Sequence, residues 1–271
     1  MKKHLTGLRW AFAIVLALCV GLLLTGFSPC RADDTAIDDQ KWTPIFDGKT
    51  LDGWTVSKID ADKKAEVKDG IIIIGREGLA SGIKYDEKFY DKPFPKSNFE
   101  IMYQAKRADG YDFFGTMTFP VKESHCSFLT GGWSGSVIGL SSINGYDASE
   151  NETTAFYPFK DKQWYQFRLC VSDDRITVWL YPVDEAGKTI EPPKDDQKAL
   201  DAARLEIEKP KVDLVLDSDK RFTTRLEVSF FQPLGISTWN TEGHLRDIKY
   251  RELTPEEVAE IKDLPERSRT Q

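Results

Sequence analysis

The chain has 271 residues, of which 40% are hydrophobic, 30% charged and 12% aromatic, which excludes a disordered or collagen-like protein. One long apolar run is too few for a polytopic membrane protein. The formal net charge of −7 has the wrong sign for gripping nucleic-acid phosphates through a basic surface.

That apolar run, Ala11 to Leu24, follows Lys2, Lys3 and Arg9 and precedes Cys30-Arg31-Ala32. A charged start, an apolar stretch and a small residue at the cut make a secretory signal peptide, with cleavage expected after Ala32. A lipoprotein cysteine at Cys30 is disfavoured, because Phe27-Ser28-Pro29 lacks the small residue such processing wants. A signal anchor is disfavoured too, because the run is short for a span. Losing residues 1–32 removes four basic and no acidic residues, taking the net charge from −7 to −11. The expectation is an exported chain, periplasmic or extracellular, with residues 33–271 as one domain. It has no membrane span after cleavage and no nucleic-acid partner. Cys126 and Cys170 remain, as a disulfide or as a buried free pair; sequence leaves both open.

From Trp42 to Leu253 the pattern is strand after strand. Val67-Lys68-Asp69-Gly70 before Ile71 to Ile74 reads as a hairpin, with Asp-Gly supplying the turn. In Asn98 to Lys106 the residues Phe99, Ile101, Tyr103 and Ala105 fall on one face. Trp164 to Val171 sets Tyr165, Phe167, Leu169 and Val171 against Trp164, Gln166, Arg168 and Cys170. A turn at Ser172-Asp173-Asp174 leads into the partner strand Arg175 to Tyr181. Further strands are expected at Val212 to Leu216, Arg225 to Phe231, Leu234 to Trp239 and His244 to Leu253. Trp164 and Trp179 read as core. No helical periodicity interrupts the series, so the fold class is all-β: an antiparallel two-sheet β-sandwich or jelly roll. Val183 to Ala203, rich in Pro, Lys, Asp and Glu, reads as a surface insertion. Thr254 as N-cap, Pro255 at the first helical position and Glu257 at the third open a short helix to about Leu264.

Ile45-Phe46-Asp47-Gly48-Lys49-Thr50-Leu51-Asp52-Gly53-Trp54 resembles the opening motif of the secreted 3-keto-disaccharide hydrolase domain family. Leu234-Gly235-Ile236-Ser237-Thr238-Trp239 and Leu245-Arg246-Asp247-Ile248-Lys249-Tyr250-Arg251-Glu252-Leu253 resemble its close, so the similarity spans residues 42–253. The resemblance implies a concanavalin A-like jelly roll and a carbohydrate ligand or substrate. The middle departs from the family's usual Asn-Ser-Gly-Ile type motif, carrying Gly110 to Pro120 in its place. The implied chemistry is elimination: a ketone at C3 acidifies the C2 proton, a base removes it, the glycosidic oxygen leaves and water adds. Such a site needs a base, a proton donor and a hydrogen-bond donor near the enolate.

The stretch 125–152 is the richest place to look. His125 titrates near neutral pH, although a lone strand histidine is more often structural. Glu150 and Glu152, in a strand, would face one side with Cα atoms ~6.5–7 Å apart. In a loop, which Asp147-Ala148-Ser149 suggests, that geometry fails. Asp147, Glu150 and Glu152 also carry the oxygens Ca²⁺ takes, without an EF-hand spacing, so no cofactor is assigned. In Gly131-Gly132-Trp133-Ser134-Gly135-Ser136, glycines let the chain turn and present Trp133 as a stacking platform for a sugar ring; a core tryptophan is the plain alternative. The catalytic candidates are therefore Glu150, His125 and Glu152. The substrate-binding candidates are Trp133, Asp147, Tyr146, Trp239 and Arg246. Asn151-Glu152-Thr153 matches a glycosylation sequon. The leading expectation is a glycan-active hydrolase; a non-catalytic carbohydrate-binding module and an adhesive exported domain are the alternatives.

Overall fold

The computed structural model describes residues 42–58, 65–76 and 80–265, so the expected signal peptide lies outside the described residues. The first strands in chain order are β1 (Thr43–Pro44), β2 (Trp54–Lys58), β3 (Ala65–Lys68), β4 (Ile71–Ile74) and β5 (Ala80–Tyr85). Five more follow: β6 (Phe99–Gly110), β7 (Thr116–Val121), β8 (Ser124–Gly131), β9 (Val137–Ser141) and β10 (Ala155–Phe156). The last are β11 (Trp164–Val171), β12 (Arg175–Val183), β13 (Val212–Val215), β14 (Gly235–Trp239) and β15 (Thr241–Glu252). They form two antiparallel sheets. One runs β13-β12-β11-β6-β15-β4-β3 with β1 also on β15; the other runs β10-β9-β8-β7-β14-β5-β2. The chain is the all-β sandwich that its alternation predicts. Among the described residues no helix is long and apolar enough to cross a membrane.

The alternation decides what lies between the sheets. Phe99, Ile101, Tyr103 and Ala105 on β6 and Tyr165, Phe167, Leu169 and Val171 on β11 all enter the central core. They meet Met117, Phe119, Cys126, Phe128, Leu140 and Ile236 from the second sheet. Tyr103 stacks on Phe167 with ring centroids 5.0 Å apart, and its hydroxyl donates to the Gly115 carbonyl at 2.7 Å. Buried rings of this size dominate the hydrophobic stabilisation, and the satisfied hydroxyl avoids a desolvation cost. Cys126 is a free, buried thiol, so the Cys126–Cys170 disulfide is not formed. The opening motif is structural: Asp47 accepts from the amides of Lys49 and Thr50, and Trp54 Nε1 donates to the Ile45 carbonyl. Those amide bonds hold the Asp47 carboxyl below its usual value.

Part of the outward face of the first sheet is buried too, by Ile207 of the segment after β12 and by the C-terminal helix Pro255–Asp263, which starts with the expected Thr254–Glu257 capping box. Trp179 lies under that helix with Cys170, Leu253 and Ile261. Trp164 packs with Tyr181 and Val183. Both tryptophans are buried as expected, but on this outer layer and not between the sheets. Glu100, at 0% exposure, accepts from Arg168 Nη2 at 2.7 Å and Arg251 Nε at 2.6 Å. Arg251 then donates to both carboxylate oxygens of Glu257 at 2.9 Å, locking the helix to the sheet.

Two readings change. Gln197–Glu208 is a 12-residue helix within and beyond the region read as an irregular insertion, capped by the Asp196 side chain. Arg225 to Phe231 is not a strand: it carries the short helix Leu226–Ser229. The apolar residues there, Val228 and Phe231, are three apart and both buried. That is helical spacing, which alternation obscures.

Candidate functional site

The second sheet's outward face carries hydroxyls where its inward face carries core side chains. Thr118, Ser127 and Ser141 are cross-strand partners in register, and Thr118 and Ser127 share a hydrogen bond at 2.9 Å. Two glycines on this face, Gly82 and Gly235, let the segment 225–231 lie directly on the sheet. A Cβ at either would sit 2.7 Å from a Phe231 side-chain atom. The segment 221–223 reaches across to 142–144 through backbone bonds such as Ser142 N to the Thr223 carbonyl at 2.7 Å. A groove of about 220 Å³ remains between this segment and the loops 111–113 and 131–135. Its floor is Thr116, Ser127, Leu129 and Ser141, and its walls include Phe113, Trp133, Val228 and Trp239.

Three carboxylates and one guanidinium open into it: Asp112, Asp147, Glu227 and Arg225. Asp147 Oδ1 accepts from Ser141 Oγ at 2.5 Å and from the Ala148 amide at 2.8 Å. Its other oxygen pairs with Arg225 Nη1. Arg225 Nη2 also pairs with Glu227 at 3.1 Å. Burial pushes the Glu227 carboxyl up, but the Arg225 hydrogen bond and charge outweigh it and hold the carboxyl below its usual value. Arg225 is raised by the same contacts, the Glu227 hydrogen bond first. Asp112 accepts only from the Phe113 amide, at 2.8 Å, and among the described residues no cation pairs with it. Trp133 is 45% exposed on a turn where Gly131, Trp133, Ser134 and Gly135 all have left-handed backbone. Arg107 braces that turn, donating to the Gly135 carbonyl at 3.3 Å and pairing with Asp161 at 2.6 Å. Among the described residues no three His, Cys, Asp or Glu side chains are grouped to hold a metal ion.

A model of the 3-keto-alpha-glucoside-1,2-lyase-like domain matches residues 41–199, more than half of the chain. The chain belongs to this family. No curated protein matches it. Among solved structures, it is similar to the carbohydrate-binding module CBM66 from Bacillus subtilis, at 10% identity and a TM-score of 0.39, covering 74% of this chain and 96% of that one. It is also similar to domain 4 of AbnA, a GH43 extracellular arabinanase from Geobacillus stearothermophilus, in complex with arabinotriose. That match has 12% identity and a TM-score of 0.42, covering 82% of this chain and 97% of that one. The apo Crh5 transglycosylase matches at 11% identity and a TM-score of 0.45, over 79% and 84% of the two chains.

Of the residues singled out from sequence, the fold brings Trp133, Asp147 and Trp239 together in the groove. Tyr146, next to Asp147 in the chain, is 60% exposed and is not part of the groove lining. Glu150 and Glu152 lie on turns, not on a strand, so the same-face pairing does not arise. Glu150 is exposed, and Glu152 pairs with Lys220 at 2.7 Å. His125 is on β8 outside the groove lining, half-buried near Lys96; burial first, then that charge, lower its pKa. Arg246 is on the other sheet, its guanidinium 4.0 Å from the Trp164 ring centroid and bonded to the carbonyls of Asp184 and Glu185. The Asn151 amide nitrogen donates to the carbonyls of Leu140, Tyr146 and Asp147, so the sequon asparagine organises the loop. Asp112, Arg225 and Glu227 were missed. The signals were a carboxylate inside the departing 110–120 stretch and hydroxyls alternating with core residues on β7 and β8.

Proposed function

We propose that this groove cleaves the glycosidic bond of 3-keto-glycosides by elimination, followed by addition of water. The observation that carries the reading is the division of labour among its charges. Asp112 is a carboxylate free of any cation among the described residues, in the same groove as an arginine oriented by two other carboxylates. A carboxylate paired to arginine is a poor base; an unpaired one is a better base. Asp112 takes the C2 proton, and the electron pair moves onto the C3 oxygen as an enolate. An Arg225 N–H donates to that oxygen, while Asp147 and Glu227 hold the guanidinium in place. The C1–O bond then breaks, and the departing oxygen takes up the proton. Water adding across C1 and C2 restores the keto-sugar. Trp133 and Trp239 offer apolar faces for the ring, and Thr116, Ser127 and Ser141 offer partners for its hydroxyls. The leader sequence supports an exported location for this activity.

The purified protein is expected to release sugar from a 3-keto-glucoside and not from the parent glucoside, because only the ketone makes the C2 proton removable. Asp112→Asn is expected to lose about 10²–10⁴-fold in turnover with the fold retained. Glu150→Gln, on its exposed turn, is expected to keep it. Binding of oligosaccharides with no turnover of any 3-keto substrate would make the groove a carbohydrate-binding site and end the enzyme reading.

A further inference from the structure

The charged groups of the groove are unequal in number and in freedom. Asp112, Asp147 and Glu227 line it against one cation, Arg225, so three carboxylates and one guanidinium leave a formal charge of −2. Among the described residues, no lysine or histidine lines it. The one cation is also occupied already. Glu227 closes the Nε–Nη2 edge of the guanidinium, with Nε to Oε2 at 3.4 Å and Nη2 to Oε1 at 3.1 Å. Asp147 holds Nη1, and Ser141 and the Ala148 amide fix Asp147 in turn. An arginine grips a carboxylate or phosphate ligand through such an edge, two N–H groups side by side. Here the protein's own Glu227 sits where that ligand would. A ketone oxygen asks less: a single N–H, with no charge to match.

We propose that Glu227 and Asp147 make the groove selective by charge: it takes keto-glycosides with an uncharged ring and turns away those bearing a carboxylate, sulfate or phosphate. The inference rests on the reaction proposed above and names the charge class of its substrate. An anionic sugar would approach three carboxylates and find its natural receptor filled by one of them. Displacing Glu227 would strand that partly buried carboxylate without its cation, a cost a neutral ring does not incur. Like charges brought together lower affinity, and the effect fades as salt screens it.

The test measures binding to the wild-type protein by calorimetry with methyl glucoside, methyl glucuronide and methyl glucuronamide, none of which carries the C3 ketone. The amide matches the glucuronide in shape and lacks its charge. At low salt the glucoside and the amide are expected to bind about tenfold or more tightly than the glucuronide, and high salt should narrow the gap. Glu227→Gln, which keeps the shape and removes the charge, is expected to bring the gap to about threefold or less. Asp263→Asn removes a charge from the C-terminal helix on the opposite face of the sandwich and should leave the gap unchanged. Equal binding of glucoside and glucuronide, or a gap that Asp263→Asn closes as far as Glu227→Gln does, would overturn the charge selection. Turnover of the 3-keto-glucoside by that same protein would leave the reaction standing. The expected gap in a protein that converts no 3-keto-glucoside would uphold the selection for a binding groove and end the reaction. Binding of none of the three probes at millimolar concentration, with no turnover, would overturn both.

Discussion

Arg225 is held between two carboxylates 78 and two residues away in sequence, and this sets how the groove responds to acid. Glu227 has an ordinary value of 4.5 and is lowered in the folded protein. A group whose folded pKa is depressed contributes fully above its unfolded value, and that contribution is lost as pH falls through the lower, folded one. Ligand binding, followed by tryptophan fluorescence, is therefore expected to stay level from pH 7 down to about 4.5 and to fall only below that. A loss with a midpoint near pH 6 would mean a histidine governs the groove. At this scale the sequence showed residue types but not their neighbours. Trp133 stood out because glycines surround it, and Asp147 because it sits in an acidic loop. Arg225 did not, because its significance lies in a contact made across 78 residues of chain. Glu150 and Glu152 looked paired only on the assumption of a strand that the 147–153 turns do not form.

Elements were more legible than residues wherever one face was buried. β6 and β11 alternate cleanly because their inward residues meet a core and their outward ones meet polar partners or a covering helix. The helix Gln197–Glu208 went unseen because its apolar stripe, Leu200, Ala203 and Ile207, is short, only half-buried and set in a segment rich in charge and proline. The C-terminal helix was readable from its capping box, a local signal. What the cap does not disclose is its anchorage through Glu100, Arg168 and Arg251. Removing one partner of a buried ion pair leaves the others uncompensated, at about 3–5 kcal/mol. Glu100→Gln is accordingly expected to lower the melting temperature by roughly 10 °C in a thermal scan. Glu257→Gln, at the more exposed end, should cost less. If Glu100→Gln melted within about 2 °C of wild type, the network would not anchor the helix.

At the scale of the whole molecule, the two sheets share one continuous core, so neither is expected to open without the other. Cys126 reports on this directly. Its side chain points from β8 into that core and is fully buried, and burial pushes the thiol up to about 12. The attacking species in thiol modification is the thiolate, so both its scarcity and its inaccessibility protect the residue while the sandwich is closed. Modification of Cys126, read by mass spectrometry of its peptide, is expected to be negligible in native buffer. It should rise with denaturant at the same midpoint as the change in tryptophan fluorescence. The groove lies on the opposite face of the same strand, through Ser127 and Leu129, so a saturating ligand should move both midpoints to higher denaturant together. Modification well below the fluorescence midpoint would show that the second sheet parts from the first locally. The floor of the groove would then be a moving element, and the fixed register of Ser127 and Ser141 would not be what shapes it.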